Sequence, residues 1–212
     1  MYIAIEGVIG VGKTTLARLL QPAFGSELLL EVFEENPFLS DFYSDRERYA
    51  FQTQIFFLPS RYHQQRRGVK TILESGLSLI SDYTFAKDSL FARINLKGDE
   101  LGMYQHVHEA LAEKIVMPDL LVYLSADTDV LMQRIALRDR SYERNIERSY
   151  IEELNQAYEE FFSKPYDGTS VLTIDTNPLN FVNIPEHLKL IENRIREALN
   201  LSPYQAELPL DK

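Results

Sequence analysis

Tyr2-Ile3-Ala4-Ile5-Glu6-Gly7-Val8-Ile9-Gly10-Val11-Gly12-Lys13-Thr14-Thr15 stands at the start of the chain, and its reading decides the fold. Tyr2 to Glu6 is a short apolar run of the kind that forms a buried strand. Gly7 to Gly12 is a glycine-rich turn, and Lys13 to Phe24 has helical spacing. Strand, glycine turn and helix together give G-x-x-x-x-G-K-[ST] a physical meaning. Glycines reach backbone dihedrals that other residues avoid, so successive N–H groups can converge on phosphate oxygens. The helix adds its positive N-terminal end. Gly7, Val8, Ile9, Gly10, Val11, Gly12, Lys13, Thr14 and Thr15 are therefore the expected cradle for a nucleoside triphosphate. Lys13 would bridge its β- and γ-phosphates, and the Thr14 hydroxyl would be a ligand for Mg²⁺. The bland alternative is a glycine turn that merely joins strand to helix.

The same alternation continues outward. Strands are expected over Leu28–Val32, Leu77–Asp82, Asp119–Ser125 and Val171–Asp175. Helical patterns cover most of Phe38–Leu73, then Phe85–Leu96, Glu100–Ile115, Val130–Leu137, Arg148–Ser163 and Ile184–Leu199. This is an α/β pattern, a five-stranded parallel sheet with helices on both faces. A single domain over 1–200 is expected, with a tail over 201–212. Ligands of such sheets bind beyond the carboxyl ends of the strands. That directs attention to Gly7 onward, Glu31, Asp82 and the arginines after Ser125.

Composition narrows the function. There is no cysteine, so disulfides, thiolate metal sites and a cysteine nucleophile are excluded. The formal net charge is -10. A surface of that sign repels long nucleic acids, so an anionic small molecule would need a local basic site. No stretch reaches the roughly 20 apolar residues of a membrane span. The N-terminal apolar run is too short for a signal peptide. A cytoplasmic protein without a membrane partner is expected.

Four further matches make the chain resemble the deoxynucleoside kinase family from Met1 to about Phe162. They are Glu31-Val32-Phe33-Glu34-Glu35-Asn36-Pro37-Phe38; Gln54 with Arg61; Asp82-Tyr83-Thr84 followed by Asp88; and Arg134-Ile135-Ala136-Leu137-Arg138-Asp139-Arg140. The resemblance implies a P-loop kinase fold with an arginine-bearing lid at about 138–147. It implies ATP with Mg²⁺ as phosphate donor, a small deoxynucleoside as acceptor, and a homodimer through helices around 40–70 and 100–117.

Roles follow from the resemblance residue by residue. Glu31 is the expected base for the 5′-hydroxyl, since a carboxylate in reach can accept its proton as the bond forms. Asp82 would hold Mg²⁺ opposite Thr14. Arg134, Arg138 and Arg140 would join Lys13 in offsetting charge on the transferring phosphoryl group. Gln54, Arg61 and Asp88 would read the base, with Arg61 and Asp88 as a buried pair. Tyr43 and Glu143 match positions near the sugar 3′-hydroxyl. Family members often carry arginine where this chain has Tyr83, and the same departure resembles a bacterial deoxyguanosine kinase branch. A purine is the expected base.

Each role has a structural counterpart: Glu31 as a solvated acid, Asp82 as a helix cap, the lid arginines as a solvated face paired with Glu143 and Glu147. Tyr43 would be a core aromatic, and Arg61–Asp88 a surface ion pair. The aromatics near 51–57 fit either core or a stacking wall. His106 and His108 point to different helix faces, and Asp45-Arg46-Glu47-Arg48 is read as a solvated turn. Two other functions compete. A nucleoside monophosphate kinase of the thymidylate kinase type would need arginines for an acceptor phosphate, and none stands beside Leu30-Glu31 in sequence. A non-catalytic nucleotide-binding subunit would not require Lys13, Thr14, Glu31 and Asp82 together.

Overall fold

The computed structural model describes residues 1–164, 166 and 168–202; most of the expected tail over 201–212 lies outside them. Five strands form one parallel sheet: β1 (Tyr2–Gly7), β2 (Ser26–Leu29), β3 (Ser78–Ser81), β4 (Leu120–Ser125) and β5 (Ser170–Asp175). Their order is β2-β3-β1-β4-β5, so β1 occupies the middle. Every residue of β1 is buried, which explains why its sequence is apolar without alternation.

Side chains of a strand point alternately to opposite faces, and both faces are covered. Ile3 and Ile5 join the main core, whereas Tyr2 and Ala4 pack with Leu29, Val69 and Leu79 in a second cluster. The helices are α1 (Lys13–Phe24), α2 (Leu39–Ser44), α3 (Arg46–Gln64), α4 (Lys70–Glu74), α5 (Ala86–Asn95), α6 (Gly98–Ala112), α7 (Thr128–Arg138), α8 (Arg148–Phe162) and α9 (Pro185–Ala198). Among the described residues no helix is long and apolar enough to cross a membrane.

Two expectations change in ways that matter for the site. The second strand ends at Leu29, not Val32. Beyond it, side chains rather than a neighbouring strand satisfy the backbone: Gln64 donates to the Leu30 carbonyl at 2.7 Å, and the Glu31 N–H donates to Asp82 Oδ1 at 2.8 Å. Buried backbone groups need partners of some kind, and here they hold Glu31 off the sheet. The long helical stretch from Phe38 is also broken. Asp45 accepts from the Arg48 N–H at 3.2 Å and caps α3, so the alternating-charge run is a cap as well as a turn. A π-helical turn over Gln65–Val69 then joins α3 to α4 and turns Gln65 and Val69 inward.

Candidate active site

A cavity of about 230 Å³ opens at the carboxyl end of the sheet. The phosphate loop forms one wall; Glu31, Asp82 and Lys87 lie at its floor; Tyr43, Gln54, Phe57 and Arg61 form another wall; Arg138, Arg140 and Glu143 close the rim. A larger cavity, about 520 Å³, runs beside α5 and α6 and shares no lining residue with the phosphate loop.

The loop has the backbone its glycines allow. Gly12 caps α1 with φ 105°, in the left-handed region, and a Cβ there would come within 2.9 Å of the Phe181 ring. The Lys13 ammonium donates to the Gly7 carbonyl at 2.7 Å and the Val8 carbonyl at 3.1 Å. Burial first, and the neighbouring Lys87 charge second, push Lys13 down to about 8. Thr14 Oγ1 donates to Asp82 Oδ2 at 2.5 Å. The same Asp82 receives the Glu31 N–H, so one carboxylate ties the phosphate loop, the end of β3 and the segment after β2 together.

Glu31 is not a solvated acid. Its Oε1 accepts from Arg61 Nε at 2.9 Å and Nη2 at 2.5 Å, and its Oε2 accepts from Lys87 at 2.6 Å. Burial alone would raise its pKa, but Arg61 and Lys87 overcome that and hold the carboxyl below the usual carboxylate range. An arginine therefore does stand beside Glu31 in space, although none neighbours it along the chain. It comes from α3, thirty residues away, and it is a single guanidinium bound on both sides by carboxylates.

The other flank of Arg61 is an ion pair with Asp88 Oδ1. The pair is buried, with side-chain exposures of 5% and 0%, so the surface-pair reading is excluded. Asp88 lies behind Arg61 rather than on the cavity wall, and burial pushes its carboxyl up more than Arg61 lowers it. Asp88 Oδ2 and Gln54 Oε1 are buried without a hydrogen-bond partner. Unpartnered buried acceptors are costly, and Gln54 faces the cavity. Phe57 carries the Arg61 guanidinium at 4.0 Å from its ring centroid, so it is wall as well as core. Tyr43 lines the cavity while packing on Phe42 and Tyr150.

The three arginines separate. Arg138 binds Glu143 through both oxygens, at 2.6 Å from Nη2, and Arg140 lies 3.6 Å from the same carboxylate. The guanidinium of Arg140 also stacks over Phe33 at 4.4 Å. Arg134 turns away from the cavity. It donates to the Val11 carbonyl at 3.3 Å, and to Thr176 Oγ1 at 2.9 Å and its carbonyl at 2.8 Å. Four-residue spacing puts Arg134 and Arg138 on one helical face, but the two look to opposite ends of it: one to the phosphate loop and the segment after β5, the other to the rim.

Tyr83, the departure noted after Asp82, is fully buried, and its hydroxyl donates to Gln64 at 2.5 Å. Sequence reasoning missed two charged residues. Lys87 is the first. The second is Glu6, 1% exposed, which accepts from the Thr84 N–H at 2.6 Å, the Thr84 hydroxyl at 2.8 Å, the Gly7 N–H and the Tyr158 hydroxyl. A lone acid in an otherwise apolar strand was the available signal, since a buried carboxylate must be supplied with donors. His108 stacks on Phe85 at 4.6 Å, and His106 bonds Gly102 within its own helix.

Comparison with known proteins adds an independent line. A family model described as deoxynucleoside kinase matches residues 3–200. A deoxyguanosine kinase of Bacillus subtilis is 34% identical over 201 residues, covering 93% of this chain and 97% of its own. A deoxyadenosine/deoxycytidine kinase of the same organism is 32% identical, covering 93% of each. A solved deoxyadenosine kinase from M. mycoides with bound dATP superposes with a TM-score of 0.80 at 28% identity, covering 92% of this chain and 99% of that one.

Proposed function

The chain belongs to the deoxynucleoside kinase family and is an enzyme that phosphorylates deoxynucleosides; on that premise we propose that it moves the γ-phosphoryl group of ATP to the 5′-hydroxyl of a purine deoxynucleoside, deoxyguanosine or deoxyadenosine, in nucleotide salvage. The observation that carries the reading is the Glu31 carboxylate held by Arg61 and Lys87 in the same cavity as Lys13, Thr14 and Asp82.

The triphosphate lies on the residues 7–15 loop, and Lys13 leaves the Gly7 and Val8 carbonyls for the phosphates. Thr14 and Asp82 fit Mg²⁺, because a hydroxyl and a carboxylate that already meet are hard oxygen donors. When bound, the ion supplies neutralising charge on the β- and γ-phosphates. Glu31 orients the 5′-hydroxyl and takes its proton. A carboxylate with so low a pKa is a weak base, which suits a loose transition state in which the proton moves late and positioning dominates. Arg138 and Arg140 exchange Glu143 for phosphate oxygens when the rim at 138–147 closes, and Glu143 and Tyr43 then serve the sugar 3′-hydroxyl. Arg134 acts from behind by fixing the phosphate loop. Arg61 offers a donor to N7, the acceptor that guanine and adenine share, Gln54 offers its amide to the rest of the base edge, and Asp88 takes part by fixing Arg61 from behind.

Residues 1–200 act as one domain. Exposed Met103 and Val107 on α6, with Val116 and Met117 after it, support a homodimer through helices around 40–70 and 100–117. The net charge of -10 and the absence of cysteine suit a cytoplasmic enzyme. The test is a panel of four deoxynucleosides with ATP–Mg²⁺, run on wild type and Glu31→Gln. Purine turnover by wild type, cut by orders of magnitude in Glu31→Gln with ATP affinity retained, supports the reading. Preference for a nucleoside monophosphate as acceptor, or equal turnover by Glu31→Gln, refutes it.

A further inference from the structure

Lys87 sits in the first turn of α5, with only 8% of its side chain exposed. It lines the same cavity as Lys13 and Glu31. A buried lysine loses favourable hydration and side-chain freedom, so its retention needs a reason. Salt bridging to Glu31 is one, but Arg61 already serves that carboxylate with two N–H groups.

The distribution of bonds separates the two cations. Arg61 is held by Glu31, by Asp88 and by the Phe57 ring, with three of its five N–H donors engaged. Among the described residues Lys87 makes one hydrogen bond, to Glu31 Oε2 at 2.6 Å, and its ammonium lies 5.4 Å from the Phe91 ring centroid. An ammonium has three N–H donors, so it has capacity to spare beside the oxygen that would meet the acceptor hydroxyl. Lys13 and Lys87 also face one another as two ammonium groups lining the same cavity. Two ammonium groups that repel each other across a cavity are an arrangement an anion would relieve. Tyr83 cannot take this part, being uncharged and committed to Gln64 away from the cavity.

We propose that Lys87 is a further catalytic group of the phosphoryl transfer, clamping Glu31 and, with Lys13, enclosing the transferring phosphoryl group between two ammonium ions. The inference rests on the kinase reading above. In the step, the 5′-oxygen forms a bond to the γ-phosphorus as the bond from that phosphorus to the bridging oxygen of ADP breaks. The hydroxyl proton passes to Glu31 and then to water. Lys87 keeps its protons throughout and donates hydrogen bonds to Glu31 and to an equatorial oxygen, where charge accumulates in the transition state.

The experiment compares wild type with Lys87→Met, Lys87→Gln and Lys87→Arg, using ATP–Mg²⁺ with deoxyguanosine and with deoxyadenosine. Thermal unfolding and calorimetric ATP binding are run on each. Removing a donor aimed at developing charge costs about 10²–10³ in kcat. Lys87→Met and Lys87→Gln are therefore expected to lose about a hundredfold or more in kcat, with the KM for ATP close to wild type. Lys87→Arg should recover much of that loss, because it restores the charge. A merely structural role would move unfolding and ATP binding together and would not be rescued by arginine alone. If Lys87→Met fails to fold, Lys87→Gln, which keeps a donor without the charge, carries the same criteria. Near-wild-type kcat in either neutral variant overturns the proposal. So does a change confined to the KM of the deoxynucleoside. An inactive wild type on both nucleosides would instead sink the kinase reading on which the proposal stands.

Discussion

Replacing Arg61 by methionine should destabilise the protein by an amount that depends on pH. In the native state Arg61 lies between Glu31 and Asp88, and all three side chains are at most 10% exposed. Methionine fills much of the same volume but leaves Asp88 Oδ1 without its partner, next to an Oδ2 that already has none. Glu31 keeps Lys87, so the loss falls on Asp88. Breaking a buried ion pair by removing one partner costs about 3–5 kcal/mol.

Protonation of Asp88 sets a ceiling on that cost. Holding a carboxyl neutral at pH 7, against an unfolded value of about 3.9, costs about 4 kcal/mol at 1.36 per unit. Burial already pushes Asp88 up in the intact protein, and loss of Arg61 removes the charge that opposes this, so the carboxyl moves further toward its neutral form. The sign follows from proton counting. A carboxyl whose folded pKa is raised costs stability above its unfolded pKa, and the cost fades as pH falls toward it. At pH 5 the same ceiling is about 1.5 kcal/mol. For a chain of this size, about 4 kcal/mol is a fall of roughly 8–16 °C in Tm. The assay is thermal and denaturant unfolding of wild type and Arg61→Met at pH 7 and pH 5. The gap should be large at pH 7 and markedly smaller at pH 5. Arg61→Met/Asp88→Leu should regain most of the lost stability while remaining inactive, because an apolar pair of similar volume replaces the ion pair without an orphaned charge. Equal Tm values for wild type and Arg61→Met at pH 7, or a gap that does not narrow on acidification, would refute this account.

Gly12→Ala should weaken ATP binding tenfold or more. The φ of 105° penalises any L side chain and Phe181 blocks its Cβ, so Phe181→Ala added to it should restore only part of the affinity, as read by calorimetry. Arg134→Met should raise the KM for ATP and lower stability by about 1–3 kcal/mol, because Val11 and Thr176 lose a common donor; unchanged values for both would exclude a supporting role. Lys13, pushed down to about 8 from 10.5, should make the affinity for Mg²⁺-free ATP flat below about pH 8 and falling above it, since the phosphates bind the ammonium form. The stability linkage has the opposite slope between 8 and 10.5, where the unfolded chain still holds the proton and the folded one has lost it. Lys13→Met should abolish both trends, and a flat affinity in wild type up to pH 10 would contradict the assignment.

Much of this protein was legible without coordinates where the determining interactions are local. The G-x-x-x-x-G-K-[ST] run states its own geometry, because glycine dihedrals and the start of a helix are set within a few residues. Apolar runs alternating with helical spacing imply the covered parallel sheet by the periods alone. Glu31, Asp82, Gln54 and Arg61 were found because each lies in a segment resembling a known family, and all four line one cavity.

What only the folded chain decided is the pairing of those charges. Arg61 reaches Glu31 across 30 residues, Lys87 reaches it across 56, and Arg134 reaches Val11 across 123. Tyr83 and Lys87 are four residues apart, yet one is buried against Gln64 and the other enters the site. Spacing along a chain fixes which side chains share a face, but the strength of an electrostatic contact depends on distance and on exclusion of water. Both are products of packing between distant segments, which is why the phosphate cradle could be read from fourteen residues and the electrostatics around Glu31 could not.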